Sequence, residues 1–192
     1  MIAGKDIFAA IAMAGTTTNW VIYTRSILRG KTRPHVFSWL IWALLMLTGA
    51  AAQYAGGAGT GALPTAYSGL FCTFITVLSL FRGEKHITRS DWIIFICAFS
   101  AIPAWVLTRD PLAAALIITL VDAAGFYPTF RKSWAKPEEE YPVTYFIGGT
   151  VAVFTLCALE RYSLTTALYP LSLVLTHYLL VAMLFLRRAK LK

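Results

Sequence analysis

Apolar residues in this chain run on in long stretches instead of alternating with polar ones. Seven stretches stand out: Ile7–Thr24, Val36–Tyr54, Leu63–Phe81, Trp92–Thr108, Pro111–Phe130, Val143–Leu159 and Leu164–Leu186. Each has the roughly 17 to 25 residues that a helix needs to cross a hydrocarbon core about 30 Å thick. Six contain no Asp, Glu, Lys or Arg, and the fifth contains only Asp122. Turn-forming and charged residues fill the gaps between them. The pattern predicts an all-α integral membrane protein of seven transmembrane helices.

Composition agrees. Hydrophobic residues make up 58% of the 192, charged residues 14%, and the mean hydropathy is +0.65. A soluble domain carries about 25% charged residues, so a chain this small has too little polar surface to cover itself in water. A disordered chain, a disulfide-rich secreted fold and a nucleic-acid binder are excluded on the same ground, despite a net charge of +8. The positive charge instead reports topology, because Lys and Arg collect in cytoplasmic loops. Fourteen of the 17 lie after the first, third, fifth and seventh stretches, in the clusters Arg25–Arg33, Arg82–Arg89, Arg131–Lys136 and Arg187–Lys192. Only Lys5, Arg109 and Arg161 fall on the other side. The N-terminus is therefore expected outside and the C-terminus in the cytoplasm, in a multi-pass protein of the cell's inner (plasma) membrane. The first stretch lacks a small-x-small cleavage site followed by a polar mature domain, so it reads as a span and not as a signal peptide. Cys72, Cys97 and Cys157 lie in separate spans and read as packing residues.

Sliding the sequence by 106 positions lays spans one to three over spans five to seven without a gap. Arg25 meets Arg131, Ala52 meets Ala158, Pro64 meets Pro170 and Arg82 meets Arg188. The expected plan is three spans, a linker span and three spans: residues 1–86, 87–110 and 111–192. Two parallel repeats of this kind place a pseudo-twofold axis along the membrane normal, with a cavity between them.

The inner end of the fifth span reads Gly125-Phe-Tyr-Pro128-Thr129-Phe-Arg131-Lys132-Ser133, and the first repeat has Lys31-Thr-Arg-Pro34-His35-Val-Phe-Ser38-Trp39. These stretches resemble the signature of the SWEET and PQ-loop superfamily, with Thr129 in place of its glutamine and Ile22-Tyr23 where the first repeat would carry proline and glutamine. The resemblance implies two three-helix bundles joined by a linker helix, and alternating-access movement of a sugar or similar small metabolite. It also implies that Tyr23, Pro128 and Thr129 take part in gating. Some members act instead as membrane-embedded receptors or assembly factors that bind a partner without transporting.

Polar residues inside the spans are the candidate chemistry, because an ionisable group at mid-membrane costs about 2.5 kcal/mol or more to insert. Asp122 and His177 are expected at depth on neighbouring helices, either as a proton-coupling or substrate-binding pair, or with Asp122 hydrogen-bonded to hydroxyls such as Thr119 and His177 packed against aromatics. Thr16, Asn19 and Tyr23 share one helical face, and the 106-residue offset maps them onto Asp122, Gly125 and Thr129. Trp39, Trp42, Met46, Gly49 and Gln53 share another, where tryptophan offers a stacking surface or an interfacial anchor. Thr65, Ser68, Cys72, Thr76 and Ser79 form a small polar stripe on the third span, suited to close packing or to a wet pathway. The expected substrate-binding set is Thr16, Asn19, Trp39, Trp42, Thr76, Asp122 and His177. Gly56–Gly61 reads as a flexible outer loop without nucleotide-binding spacing.

No cofactor or metal is expected. An enzyme is disfavoured because no serine–histidine or paired-acid constellation is visible, and a retinal protein because no span carries a lysine. The expected partners are membrane lipids and a small-molecule substrate, with no nucleic acid. Two repeats in one chain could complete a pathway in a monomer.

Overall fold

A computed structural model describes residues 2–30, 34, 36–83, 89, 92–93, 96–97, 99–100, 103, 110–135, 137 and 142–190. Among these are six α-helices: α1 (Ile2–Leu28), α2 (Val36–Ala55), α3 (Leu63–Arg82), α4 (Pro111–Ala135), α5 (Pro142–Ala158) and α6 (Leu164–Lys190). A short 3-10 turn, Gly59–Ala62, precedes α3. Most of the predicted fourth span lies outside the described residues. Those of it that are described, such as Trp92, Ile93 and Ser100, are helical.

Helix ends follow local chemistry. Asp110 caps α4: its Oδ1 accepts the Leu112 N–H at 2.9 Å, and Pro111 occupies the first position, where no N–H is needed. Ser163 and Thr166 cap α6 reciprocally, the Thr166 N–H donating to Ser163 Oγ at 3.3 Å and the Ser163 N–H to Thr166 Oγ1 at 3.0 Å. α2 ends with Gly57 in the left-handed region at φ 86°; the Gly57 N–H donates to Tyr54 O and the Ala58 N–H to Gln53 O.

The helices form a closed ring. α1 packs on α3, α3 on α2, α2 on α4, α4 on α6, α6 on α5, and α5 back on α1. The backbones of α1 and α2 do not come together, nor do those of α4 and α5. The α2–α4–α6 seam is filled by Ile41, Leu45, Ala52, Ala114, Ile118 and Tyr169. The α1–α5 seam is closer: a Cβ on Gly15 would stand 2.8 Å from Val151 Cγ2, and Phe8 stacks on Phe154 at 6.2 Å.

The Gly56–Gly61 segment is not the free loop that its glycines suggest. Ala58 and Ala62 are buried with Leu159, just past the end of α5. A Cβ on Gly61 would lie 2.6 Å from Leu159 Cα and 2.8 Å from Ala158 O. The Glu160 N–H donates to Ala58 O at 3.1 Å, and the Glu160 carboxylate accepts the Thr60 N–H at 3.1 Å. Glycine is used here for close backbone approach, so the turn is docked.

Polarity is turned outside in. Thr16, Gln53, Ser79, Asp122, Thr155 and Thr166 are buried, while Leu171, Leu175, Leu179 and Leu186 expose 45–65% of their surface along one side of α6. Leu63, Leu70, Val77 and Phe81 expose 52–76% on α3. Two described helical stretches, Gly59–Arg82 and Leu164–Lys190, are long and apolar enough to cross a membrane. Trp39–Ala55, Pro111–Phe126 and Pro142–Ala158 are shorter apolar helices. The first is preceded, and the second followed, by side chains outside the described set. α1 has the length but carries Lys5, Asp6, Thr16, Thr17, Thr18 and Asn19.

Candidate functional site

The ring encloses a cavity of about 210 Å³, and every one of the six helices contributes to its wall. The volume is far above the ~10–15 Å³ that admits one water and below the ~300–1,000 Å³ typical of drug-sized ligand sites.

α1 presents Thr16, Asn19 and Tyr23 at spacings of three and four, as one face of a helix requires. α2 presents Trp39, Trp42 and Met46; further along the same face, Gly49 lies against the Tyr169 ring and Gln53 is buried against α6. α3 brings Pro64, Thr65, Ser68, Phe71 and Cys72. α4 brings Asp122 and Phe126, α5 Thr144, Tyr145, Gly148, Val151, Ala152 and Thr155, and α6 Pro170, Leu173 and His177.

Of the expected substrate-binding residues, Thr16, Asn19, Trp39, Trp42, Asp122 and His177 stand on this wall, and Thr76 does not. Thr76 lies beyond the cavity on the same stripe of α3, where its hydroxyl donates to Cys72 O at 2.8 Å, and Ser79 likewise donates to Thr76 O at 2.7 Å. The C-terminal part of the stripe serves its own helix, while Thr65, Ser68 and Cys72 face the cavity. Among the gating candidates, Tyr23 is on the wall; the side chains of Pro128 and Thr129 lie outside the described residues.

An aromatic cluster forms one part of the lining. Trp39 meets Tyr23 at 4.9 Å between ring centroids, Trp42 edge-on at 5.3 Å and Phe71 edge-on at 5.5 Å. On the opposite side, the His177 ring packs on Phe126 at 5.1 Å and Tyr145 at 6.2 Å. It also fills the space left by Gly148, where a Cβ would lie 2.6 Å from its Cδ2 and Nε2.

Asp122 and His177 share the cavity without bonding to each other. His177 Nδ1–H donates to Leu173 O at 2.8 Å, a carbonyl of its own helix. Asp122 is 1% exposed, and its Oδ2 has no hydrogen-bond partner among the described residues. Thr119 does not serve it either, since that hydroxyl donates to Ala115 O at 2.7 Å. Asn19 Oδ1 is a second buried oxygen without a partner among them. No group of three or more His, Cys, Asp or Glu suited to a metal occurs among the described residues.

Phe126 and Thr155 are wall residues that helical spacing does not single out, whereas Tyr145 and Gly148 are the repeat counterparts of Trp39 and Trp42 and do stand on the wall. Comparison with known proteins gives no match: no family model, no curated protein and no solved structure is significantly similar to the chain.

Proposed function

We propose that the chain is a seven-helix inner-membrane protein that moves a small polar solute by alternating access between two three-helix bundles, in the manner of the SWEET-like proteins it resembles. The observation that carries this reading is the composition of the cavity wall. Thr16 and Asp122, Trp39 and Tyr145, Trp42 and Gly148, Met46 and Ala152, Pro64 and Pro170, and Phe71 and His177 are all wall residues, and each pair is 106 positions apart. Such pairing is expected of a site on the axis between two repeats.

The packing supports the same exchange. Swapping α1, α2 and α3 for α4, α5 and α6 turns the α1–α5 contact into α4–α2 and leaves the ring unchanged. α2 and α5 begin at Val36 and Pro142, again 106 apart. Membrane embedding is supported by the exposed leucine faces of α3 and α6 and by the basic inner ends of the spans. In this reading the N-terminus is outside and the docked Gly59–Ala62 turn closes the outer end. One chain holds both halves of the pathway, and Asp122 is the candidate for proton coupling.

Uptake into proteoliposomes tests the proposal with labelled sugars, amino acids, nucleosides and vitamins. Saturable uptake of at least one class, abolished by Trp42→Ala, is the expected result. No uptake of any class, together with stoichiometric capture of a membrane partner, would replace transport by the partner-binding reading.

A further inference from the structure

Among the described residues, two buried oxygens on the cavity wall lack a hydrogen-bond partner, Asp122 Oδ2 and Asn19 Oδ1, and both are acceptors. Three donors on the wall are spent on carbonyls of their own helices: the Thr16 hydroxyl donates to Ala12 O at 3.1 Å, the Thr155 hydroxyl to Val151 O at 2.8 Å, and His177 Nδ1–H to Leu173 O. No lysine or arginine is among the lining residues. A buried carboxylate without a cation or a donor is costly unless something neutralises it. The same wall carries the rings of Tyr23, Trp39, Trp42 and Phe71, and an aromatic face attracts a cation stripped of water.

From this arrangement we infer that the cavity selects a small organic cation, of the ammonium or quaternary ammonium type, whose charge faces Asp122 and whose apolar body lies on the tryptophan-rich wall. The inference rests on the transporter reading for its physiological meaning, but the binding it describes stands or falls by itself. The cavity is too small for a drug-sized cation and has room for one of choline's size. An anion would meet the Asp122 carboxylate head-on.

The test compares each cation with its uncharged isostere on the purified full chain: choline against 3,3-dimethylbutan-1-ol, and 2-phenylethylammonium against 2-phenylethanol. Tryptophan fluorescence reads occupancy directly, since Trp39 and Trp42 line the site. At least one cation is expected to bind more tightly than its isostere by roughly tenfold or more. Asp122→Asn, nearly identical in shape and checked for an unchanged melting temperature, is expected to erase that preference. Trp42→Leu is expected to weaken the cation more than the isostere, which provides a second reading if the Asn variant fails to fold. Equal binding of cation and isostere, retention of the preference in Asp122→Asn, or no binding of either cation into the millimolar range would overturn the inference. Failure here with saturable uptake of a neutral solute leaves the transporter reading intact. Cation binding without uptake does the reverse.

Discussion

Pro170 sits inside α6, where its ring nitrogen cannot donate to Thr166 O, the carbonyl one turn back. That carbonyl is not left alone. Gln53, the chain's one glutamine, reaches from α2 and donates its Nε2–H to Thr166 O at 3.4 Å, in a fully buried position. The other end of the same amide, Oε1, has no partner among the described residues. Gln53→Leu therefore does two opposing things. It strips the carbonyl of its donor, costing about 1–3 kcal/mol for an unsatisfied buried group, and it removes an unsatisfied oxygen of similar cost. With a bond as long as 3.4 Å the lost donation lies at the low end of that range. The single variant should thus stay within about 1 kcal/mol of wild type. In the Pro170→Ala background the restored backbone N–H satisfies the carbonyl, only the relief remains, and Gln53→Leu should stabilise by about 1 kcal/mol or more. The coupling energy of the double-mutant cycle, measured by unfolding in mixed micelles, is expected at about 1 kcal/mol. Additive effects would show that the glutamine does not serve the proline-broken turn, and would refute the coupling.

Other perturbations read different parts of the structure. Gly61→Ala places a methyl against the Leu159 backbone, which has no side chain to swing aside, so a loss of roughly 1–3 kcal/mol is expected by overpacking; an unchanged melting temperature would rule out the docked turn. Gly148→Ala must move the His177 ring, and a changed His177 imidazole NMR signal should accompany altered ligand affinity. An unchanged imidazole signal would mean that the ring does not fill that space. Leu179→Lys tests the medium around α6: at the bilayer centre a lysine costs about 2.5–3.5 kcal/mol, so membrane-integrated protein should fall sharply. Undiminished integration would argue that this exposed face meets water.

Four of the six helix starts were legible because punctuation writes them, while α1 begins at Ile2, five residues before the apolar stretch, and α5 at Pro142, one before. Val36, Leu63, Pro111 and Leu164 each follow a Pro-, Gly- or Asp/Ser-containing break, and the helices begin at those residues. C-terminal ends were harder to read. α1 continues past Thr24 to Leu28, and α6 past Leu186 to Lys190, since backbone hydrogen bonding does not stop where apolar side chains do. Faces such as Thr16–Asn19–Tyr23 followed from helical spacing. What spacing could not supply was side-chain allegiance. His177 spends Nδ1–H on Leu173, and Thr76 turns to Cys72, because a carbonyl one turn back is always within reach of such side chains. Nor could glycine content distinguish a free loop from one pressed against Leu159. That contact joins segments about a hundred positions apart.

The ring also has a history within each molecule's synthesis. α1 finds α3 soon after it is made, but its other neighbour, α5, begins only at Pro142. At translation rates of about 5–20 residues per second, the delay after Leu28 is on the order of ten seconds. If the chain is inserted as proposed, the seam bearing Gly15, Thr16 and Asn19 stays open to lipid, or to a helper, for that interval. The newborn first half must tolerate an unsealed polar flank, and its lifetime in that condition is set by the ribosome and not by the bundle's own energetics.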